Sequence, residues 1–277
     1  MKQISVLILG LFATFFVHSQ SGVLDPTFGQ NGFVTTVING TYNFSNATIV
    51  QNDGKILVCG RAGEPSTYKA TVARYNTDGS LDNSFANNGT LVIPIGNAKS
   101  FATDIALQND GKIVMSAYTW NDVKGEFAAI RINSDGSFDS TFGNQGVQLI
   151  SNSGSAVTQS LRIQDNGKIL LAGYYDDEFA VLRLETDGTI DNSFGVSGWA
   201  ITTFAGASSF IEEIEIQNDG KIIQGGLVLS SSQIFEMGIA RLNTDGTIDQ
   251  TFGSQGNLRF NIGNGNDFIT GVAIQNI

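Results

Sequence analysis

The chain has 277 residues, 41% of them apolar and only 15% charged, with 33 glycines, 3 prolines and a net charge of −11. That composition excludes a disordered chain, which needs low hydrophobicity and high charge density. The acidic balance disfavours partners with a phosphate backbone, so no nucleic acid is expected.

Residues 1–19 read as a secretory signal peptide. Lys2 supplies the positive start, Ile4 to Val17 a mostly apolar stretch, and Val17-His18-Ser19 a small-residue cleavage site before Gln20. The stretch is short of the roughly 20 residues of a spanning helix, so the mature chain is expected to carry no membrane span. The expected location is secreted or at the cell surface. Cleavage would remove His18, the only histidine of the chain. Ser-His-Asp triads and His-ligated zinc are then excluded. The single cysteine, Cys59, lies in the apolar run Ile56-Leu57-Val58-Cys59 and reads as a buried small hydrophobe.

Residues 20–277 form one repeat domain. The marker Leu24-Asp25-Pro26-Thr27-Phe28-Gly29 returns with its aspartate at Asp82, Asp139, Asp191 and Asp249. A second marker, Gln51-Asn52-Asp53-Gly54-Lys55-Ile56, returns at 108–113, 164–169 and 217–222. A third, Asn76-Thr77-Asp78-Gly79, returns at 133–136, 185–188 and 243–246. Three markers in fixed order define a repeat architecture.

The first unit predicts strands near 32–38, 45–51, 55–62 and 68–76, and the second near 89–95, 101–108, 112–120 and 126–133. Asp53-Gly54 suits a tight hairpin, because both positions tolerate positive φ. The last two strands of a unit are apolar on both faces, as in Ile113-Val114-Met115 and Phe179-Ala180-Val181-Leu182. Such strands need a sheet on either side. Radially stacked four-stranded antiparallel sheets meet that need, so the expected fold is an all-β propeller. The expected blades are 30–80, 87–137, 144–189 and 196–247, with a partial fifth at 254–277. Gly256 to Ile262 and Phe268 to Gln275 read as the partial blade's first two strands. The repeat stops short of its next Asp-Gly turn. That predicts either a truncated reading frame or an exposed edge that pairs with a partner chain.

Together the motifs Gln-x-Asp-Gly-Lys-Ile and Arg-x-Asn-x-Asp-Gly-x-Leu-Asp-x-Ser/Thr-Phe-Gly resemble the delta-60 repeat family of bacterial exported proteins. The resemblance covers residues 22–277 and implies a β-propeller. It implies no particular activity.

Candidate chemistry is sparse. The series Asn76, Asp78, Asp82 and its copies at 133/135/139, 185/187/191 and 243/245/249 spaces oxygens as calcium loops do, but lacks their terminal bidentate Glu. Asx-stabilised turns explain the same spacing. Arg74, Arg131, Arg183 and Arg241 read either as a ring facing an acidic ligand or as partners of the connector aspartates. The connector residues Phe28, Phe85, Phe142, Phe194 and Phe252 read as stacking platforms or as core anchors. One copy per unit favours the structural reading in both cases. Non-repeating loops at 63–68, 120–126, 174–178 and 230–236 are where function would sit. Trp120, Asn121 and Asp122, or Tyr174, Tyr175, Asp176 and Asp177, could hold a glycan. Asp176, Asp177 and Glu178 form a carboxylate cluster on one tip, without the facing geometry of a glycosidase.

No catalytic, cofactor-binding or metal-binding residue is therefore assigned, and no cofactor is expected. The sequence points to a non-catalytic binding or surface-interaction module, not an enzyme, whose partner is a glycan or another surface protein. The alternative is a carbohydrate-active propeller enzyme, lyase or hydrolase. An axial channel with two carboxylates roughly 5–10 Å apart and an arginine nearby would favour the enzyme. A channel of small and apolar side chains would favour the module.

Overall fold

A computed structural model describes residues 22–151 and 153–275. The expected signal peptide lies outside the described residues. Within them are four four-stranded antiparallel sheets. The first holds β1 (Tyr42–Val50), β2 (Ile56–Gly63), β3 (Lys69–Tyr75) and β4 (Thr90–Ile93). The second holds β5 (Lys99–Leu107), β6 (Ile113–Trp120), β7 (Gly125–Ile132) and β8 (Val147–Ile150). The third holds β9 (Ala156–Ile163), β10 (Ile169–Tyr175), β11 (Glu178–Leu184) and β12 (Trp199–Thr202). The fourth holds β13 (Ser209–Ile216), β14 (Ile222–Leu229), β15 (Phe235–Leu242) and β16 (Asn257–Phe260). The strands of each sheet lie side by side in chain order. Successive sheets pack face to face, and the first strands β1, β5, β9 and β13 touch in series along the inner edge. The fold is a β-propeller.

One apolar cluster fills each joint. Leu57, Val72, Phe85, Ile105 and Met115 join the first two sheets. Val114, Phe127, Phe142, Leu161 and Leu171 join the second and third. Leu170, Val181, Phe194, Ile211 and Ile214 join the third and fourth. The middle strands therefore bury side chains of both parities, which is why they show no polar alternation.

The sheets begin one strand later than the expected units. The strand expected at 89–95 opens the second unit on paper, yet β4 closes the first sheet by pairing with β3. The reason is the connector. Leu81 bridges back to Tyr75. Arg74 N–H donates to Gly89 O at 2.9 Å, and Asp82 N–H to Arg74 O at 2.9 Å. The connector is thus a wide turn inside a sheet, and the chain passes to the next sheet only after its short outer strand. Likewise β16 closes the fourth sheet, and no strand is found at 32–38 or 268–275.

The repeated residues make one recurring staple. Arg131 Nε donates to Asp139 Oδ2 at 2.7 Å, and Lys112 Nζ lies 3.1 Å from the same oxygen. Asp139 Oδ1 accepts the Thr141 N–H and hydroxyl. The Arg131 guanidinium carbon lies 4.5 Å from the Phe142 ring centroid. Its Nη1 crosses to the following sheet and donates to Thr186 O at 2.5 Å. Beside it, Gly143 N–H donates to Asp187 O at 2.8 Å. Arg74 and Arg183 repeat this crossing to Ser134 O and Thr244 O. The reading of the recurring arginines and phenylalanines as structural is correct. Phe85, Phe142 and Phe194 are fully buried.

At the first sheet, residues 28–38 take the place that a connector takes on each following sheet. Gly29 N–H donates to Asp78 O at 2.7 Å, matching Ala86 to Asp135 and Gly195 to Asp245. A cavity of about 430 Å³ lies there, lined by Phe28, Val34, Asn43, Val58 and Tyr75 among others.

Two predictions follow from the staple. Breaking a buried ion pair by removing one partner costs about 3–5 kcal/mol. R131M is therefore expected to unfold at markedly lower urea than wild type. R241M should cost less than half as much, because the Arg241 side chain is 20% exposed against 7% for Arg131. Equal losses at the two sites would refute an inter-sheet role. Second, Asp82, Asp139, Asp191 and Asp249 titrate well below the usual carboxylate range. For Asp82 the Lys55 ammonium is the largest cause; for Asp139 and Asp191 burial opposes the shift, but hydroxyl, lysine and arginine partners outweigh it. Folded values below the unfolded ones stabilise the fold above about pH 4, and that contribution drains away as pH falls further. Thermal melts should show a steep loss of Tm below about pH 4.

Candidate functional site at the inner strands

Each inner strand carries a β-bulge, at Ser45/Ala47, Ala102/Asp104, opposite Ala172/Gly173, and at Ile211/Glu213. The extra residues are Asn46, Thr103, Gln159 and Glu212. Bulges re-aim side chains, and they gather near functional sites. Asn46 Nδ2 reaches Ala102 O of the next inner strand at 2.6 Å. The Thr103 hydroxyl reaches that of Thr158 at 3.2 Å. Glu212 holds the same place on β13. It is half-buried, and no partner for its carboxyl is found among the described residues. Burial alone pushes its carboxyl above the usual range.

On β5, β9 and β13 the residue after the bulge accepts a backbone N–H from the neighbouring segment. Asp104 Oδ2 accepts Leu161 N–H at 2.8 Å, Ser160 Oγ accepts Ile214 N–H at 3.3 Å, and Glu213 Oε2 accepts Val272 N–H at 2.8 Å. Residues around Val272 thus dock on β13 as an inner strand does, though no strand is formed there. Arg162 on β9 gathers the acids: its Nη1 lies 3.3 Å from Asp104, and its Nη2 lies 2.5 Å from Glu213 and 2.6 Å from Glu215. Burial raises the Asp104 carboxyl, against the pull of Leu161 N–H, Ile105 N–H and Arg162. Burial also works against the Arg162 charge, but Glu215, Asp104 and Glu213 keep the guanidinium firmly protonated.

Toward the hairpin tips of the same strands lies a series of aromatic rings. One register position in every sheet pairs the inner strand with its neighbour: Phe44 with Arg61, Phe101 with Tyr118, Val157 with Tyr174, Phe210 with Leu227. Directly paired residues share a face. Phe101 stacks on Tyr118 with centroids 4.7 Å apart and planes at 14°. Tyr68 bridges Phe44 and Phe101 at 6.1 and 6.0 Å. Tyr174 meets Phe210 edge-on at 4.9 Å. Burial raises the phenol pKa of both Tyr118 and Tyr174, and the neighbouring Tyr118 and Asp177 add to the rise at Tyr174. Val157 is buried and Phe44 exposed, while the other rings and side chains are partly buried.

The sequence candidates scatter around this arc. Tyr174 belongs to it, whereas Tyr175 turns to Trp199 at 5.4 Å. Asp176 and Asp177 form a tight turn at φ 48° and 63°. Asp176 is also occupied, accepting Ser155 N–H at 2.8 Å. Asn121 caps its own turn, accepting from Val123 and Lys124, and Asp122 pairs with Lys99 at 2.5 Å. The oxygens of the calcium-like spacing are committed to different partners: Asp78 to Ser80, and Asp82 to Lys55, Arg74 and Ser84. Those loops are Asx turns. Burial pushes the Cys59 thiol up to about 12, which leaves it unreactive at neutral pH.

Residues 51–85, 108–142, 164–194 and 217–252 match the family described as "Domain of unknown function (DUF5122) beta-propeller". Four segments of the chain, one in each sheet and its connector, are thus similar to repeats of a β-propeller family. No curated protein matches it. Solved structures similar to it include a glycosyl hydrolase from Bacteroides ovatus, 15% identical with a TM-score of 0.34, and a putative glycoside hydrolase from Bacteroides ovatus ATCC 8483, 16% identical with the same TM-score. A third comes from work titled "The GH130 family of mannoside phosphorylases contains glycoside hydrolases that target beta-1,2 mannosidic linkages in Candida mannan", at 17% identity and TM-score 0.34. Each match covers 72% of this chain, and 66%, 67% and 66% of those chains in the order given.

These neighbours correct two expectations, the non-catalytic binding module and the absence of enzyme activity. The three similar structures named above are described as glycoside hydrolases, the class of the alternative reading. No residue role is transferred from them. The inner strands hold an arginine among three carboxylates, with a fourth, Glu212, beside them. They are not lined only by small and apolar side chains.

The Arg162 cluster generates a test. R162M would leave Asp104, Glu213 and Glu215 facing one another. Their repulsion acts only while they are ionised, so the variant loses stability as pH rises. The gap in Tm between wild type and R162M should widen from pH 5 to pH 8. A gap independent of pH would show that the cluster is not electrostatically coupled.

Proposed function

We propose that this chain is a carbohydrate-active propeller that lays a glycan across the aromatic arc and cleaves it with acid–base help from the inner strands. The observation that carries the reading is the combination, on β13 and its neighbours, of part-buried aromatic faces and an unpartnered, half-buried acid. Sugar rings present C–H faces that stack on aromatic rings, and hydroxyls that bond to groups such as the Tyr118 and Tyr174 phenols. Phe210 and Glu212 stand two residues apart on β13, about 7 Å along the strand. In this reading a sugar on the arc extends along β13 to the bulge that carries the acid.

In the proposed step Glu212, whose neutral form burial favours, gives its proton to the glycosidic oxygen. A carboxylate of the Arg162 cluster takes a proton from the attacking water, and the bond between the anomeric carbon and that oxygen breaks. The repeat motifs support placing the chain among the delta-60 repeat proteins, and the amino-terminal sequence supports export to meet an extracellular glycan.

Isothermal titration with a panel of neutral and acidic oligosaccharides, paired with a reducing-end release assay, tests both halves. F101A is expected to weaken binding roughly tenfold, equivalent to about 1.4 kcal/mol. E212Q should bind as wild type and release no reducing ends. Wild-type activity should fall as pH rises through the raised Glu212 pKa, because only the protonated acid can donate. Turnover by E212Q at the wild-type rate would exclude Glu212 as the acid, and no binding to any sugar would remove the glycan reading.

A further inference from the structure

We infer that Arg61 forms a subsite for an anionic substituent on the glycan, a carboxylate or a sulfate ester. The inference rests on the glycan reading above and names the class of sugar. Among the described residues, every other arginine meets a carboxylate. Arg74, Arg131, Arg183 and Arg241 hold the connector aspartates, Arg162 holds three acids, and Arg259 pairs with Glu236. Arg61 has no carboxylate partner and no hydrogen bond, and its Nε is buried without an acceptor. In a chain of net charge −11, a guanidinium kept clear of all the acids is set apart for something else.

Its setting fits that use. The guanidinium carbon sits 4.4 Å from the Phe44 ring centroid, 5.3 Å from Tyr68 and 5.5 Å from Phe101. Stacking covers the plane of a guanidinium and leaves its N–H edge free to bind a planar oxyanion with two parallel hydrogen bonds. Arg61 also breaks the repeat. The same register position carries Tyr118, Tyr174 and Leu227 in the other three sheets. A residue present in one blade alone solves no packing problem shared by all. Its place within the aromatic series puts the anion site beside the stacking surface, so a single sugar can use both.

The test compares three probes on the full chain by titration calorimetry: a neutral gluco-oligosaccharide, an oligogalacturonate and a sulfated galacto-oligosaccharide of similar length. At least one acidic probe should bind ten times or more tighter than the neutral one, and which of the two does so identifies the substituent. R61M should abolish that preference, read as the ratio of acidic to neutral affinity within the same variant. R61K keeps the charge but loses the forked donors, and should retain only part of the preference; it serves equally if R61M does not fold. The acidic surface as a whole repels polyanions, so any preference must arise locally. Equal binding of neutral and acidic probes, or a preference that survives R61M, would overturn the subsite and leave the glycan reading standing. Failure of all three probes to bind would overturn both.

Discussion

Asp82, Asp139 and Asp191 are each shared by an arginine and a lysine of their own sheet, and the same arginine donates across to a backbone carbonyl of the next. Burying a carboxylate is costly unless its charge and its lone pairs are met. Here one oxygen takes the two cations and the other takes a backbone N–H and a hydroxyl, as at Asp82 with Lys55, Arg74 and Ser84. With the polar groups satisfied, the adjoining Phe85, Phe142 and Phe194 can be buried completely between sheets. The staple thus sets the spacing and angle at which the three apolar joints form. Arg241 shows the dependence by contrast: with no following turn to receive its Nη1, it keeps its Asp249 contact but is more exposed.

That division of labour explains what the sequence makes legible. A residue solving a problem common to all blades recurs once per blade, and so the Asp-Gly turns, the arginines and the connector phenylalanines announce themselves by repetition. The apolar strands report the stacking of sheets for a similar reason. The placement of the outer strand was not legible, because β4, β8, β12 and β16 span only four residues each and follow the connector instead of preceding it. Periodicity finds a strand at 90–93; only the backbone pairing of Arg74 with Gly89 tells to which sheet it belongs.

The site was hidden for the opposite reason. Its members are the residues that fail to repeat inside elements that do. Attention to loop tips finds Tyr174 and misses Arg61, Phe101 and Tyr118, which lie within regular strands. The available signal is positional: counting five residues on from the isoleucine of each Asp-Gly-Lys-Ile turn gives Arg61, Tyr118, Tyr174 and Leu227. The bulges could not be found this way. A bulge adds one residue to an inner strand without changing its composition, and it is the bulge that takes Glu212 out of the ladder register between Ile211 and Glu213.

The two kinds of acid on the inner strands separate by the same logic. Asp104, Ser160 and Glu213 stand at one repeated position and each accepts a backbone N–H of the next inner strand, so their first duty is to join blades. Arg162 neutralises the charge that two of them bring to the axis. Glu212 stands at the bulge, where Asn46 and Thr103 reach across to the next inner strand, and finds no partner there. An ionised carboxylate in that position is disfavoured by burial and uncompensated by any cation, so the neutral form gains. A scaffold that satisfies its buried acids four times over at the connectors leaves this one without a partner, and burial shifts it toward its neutral form.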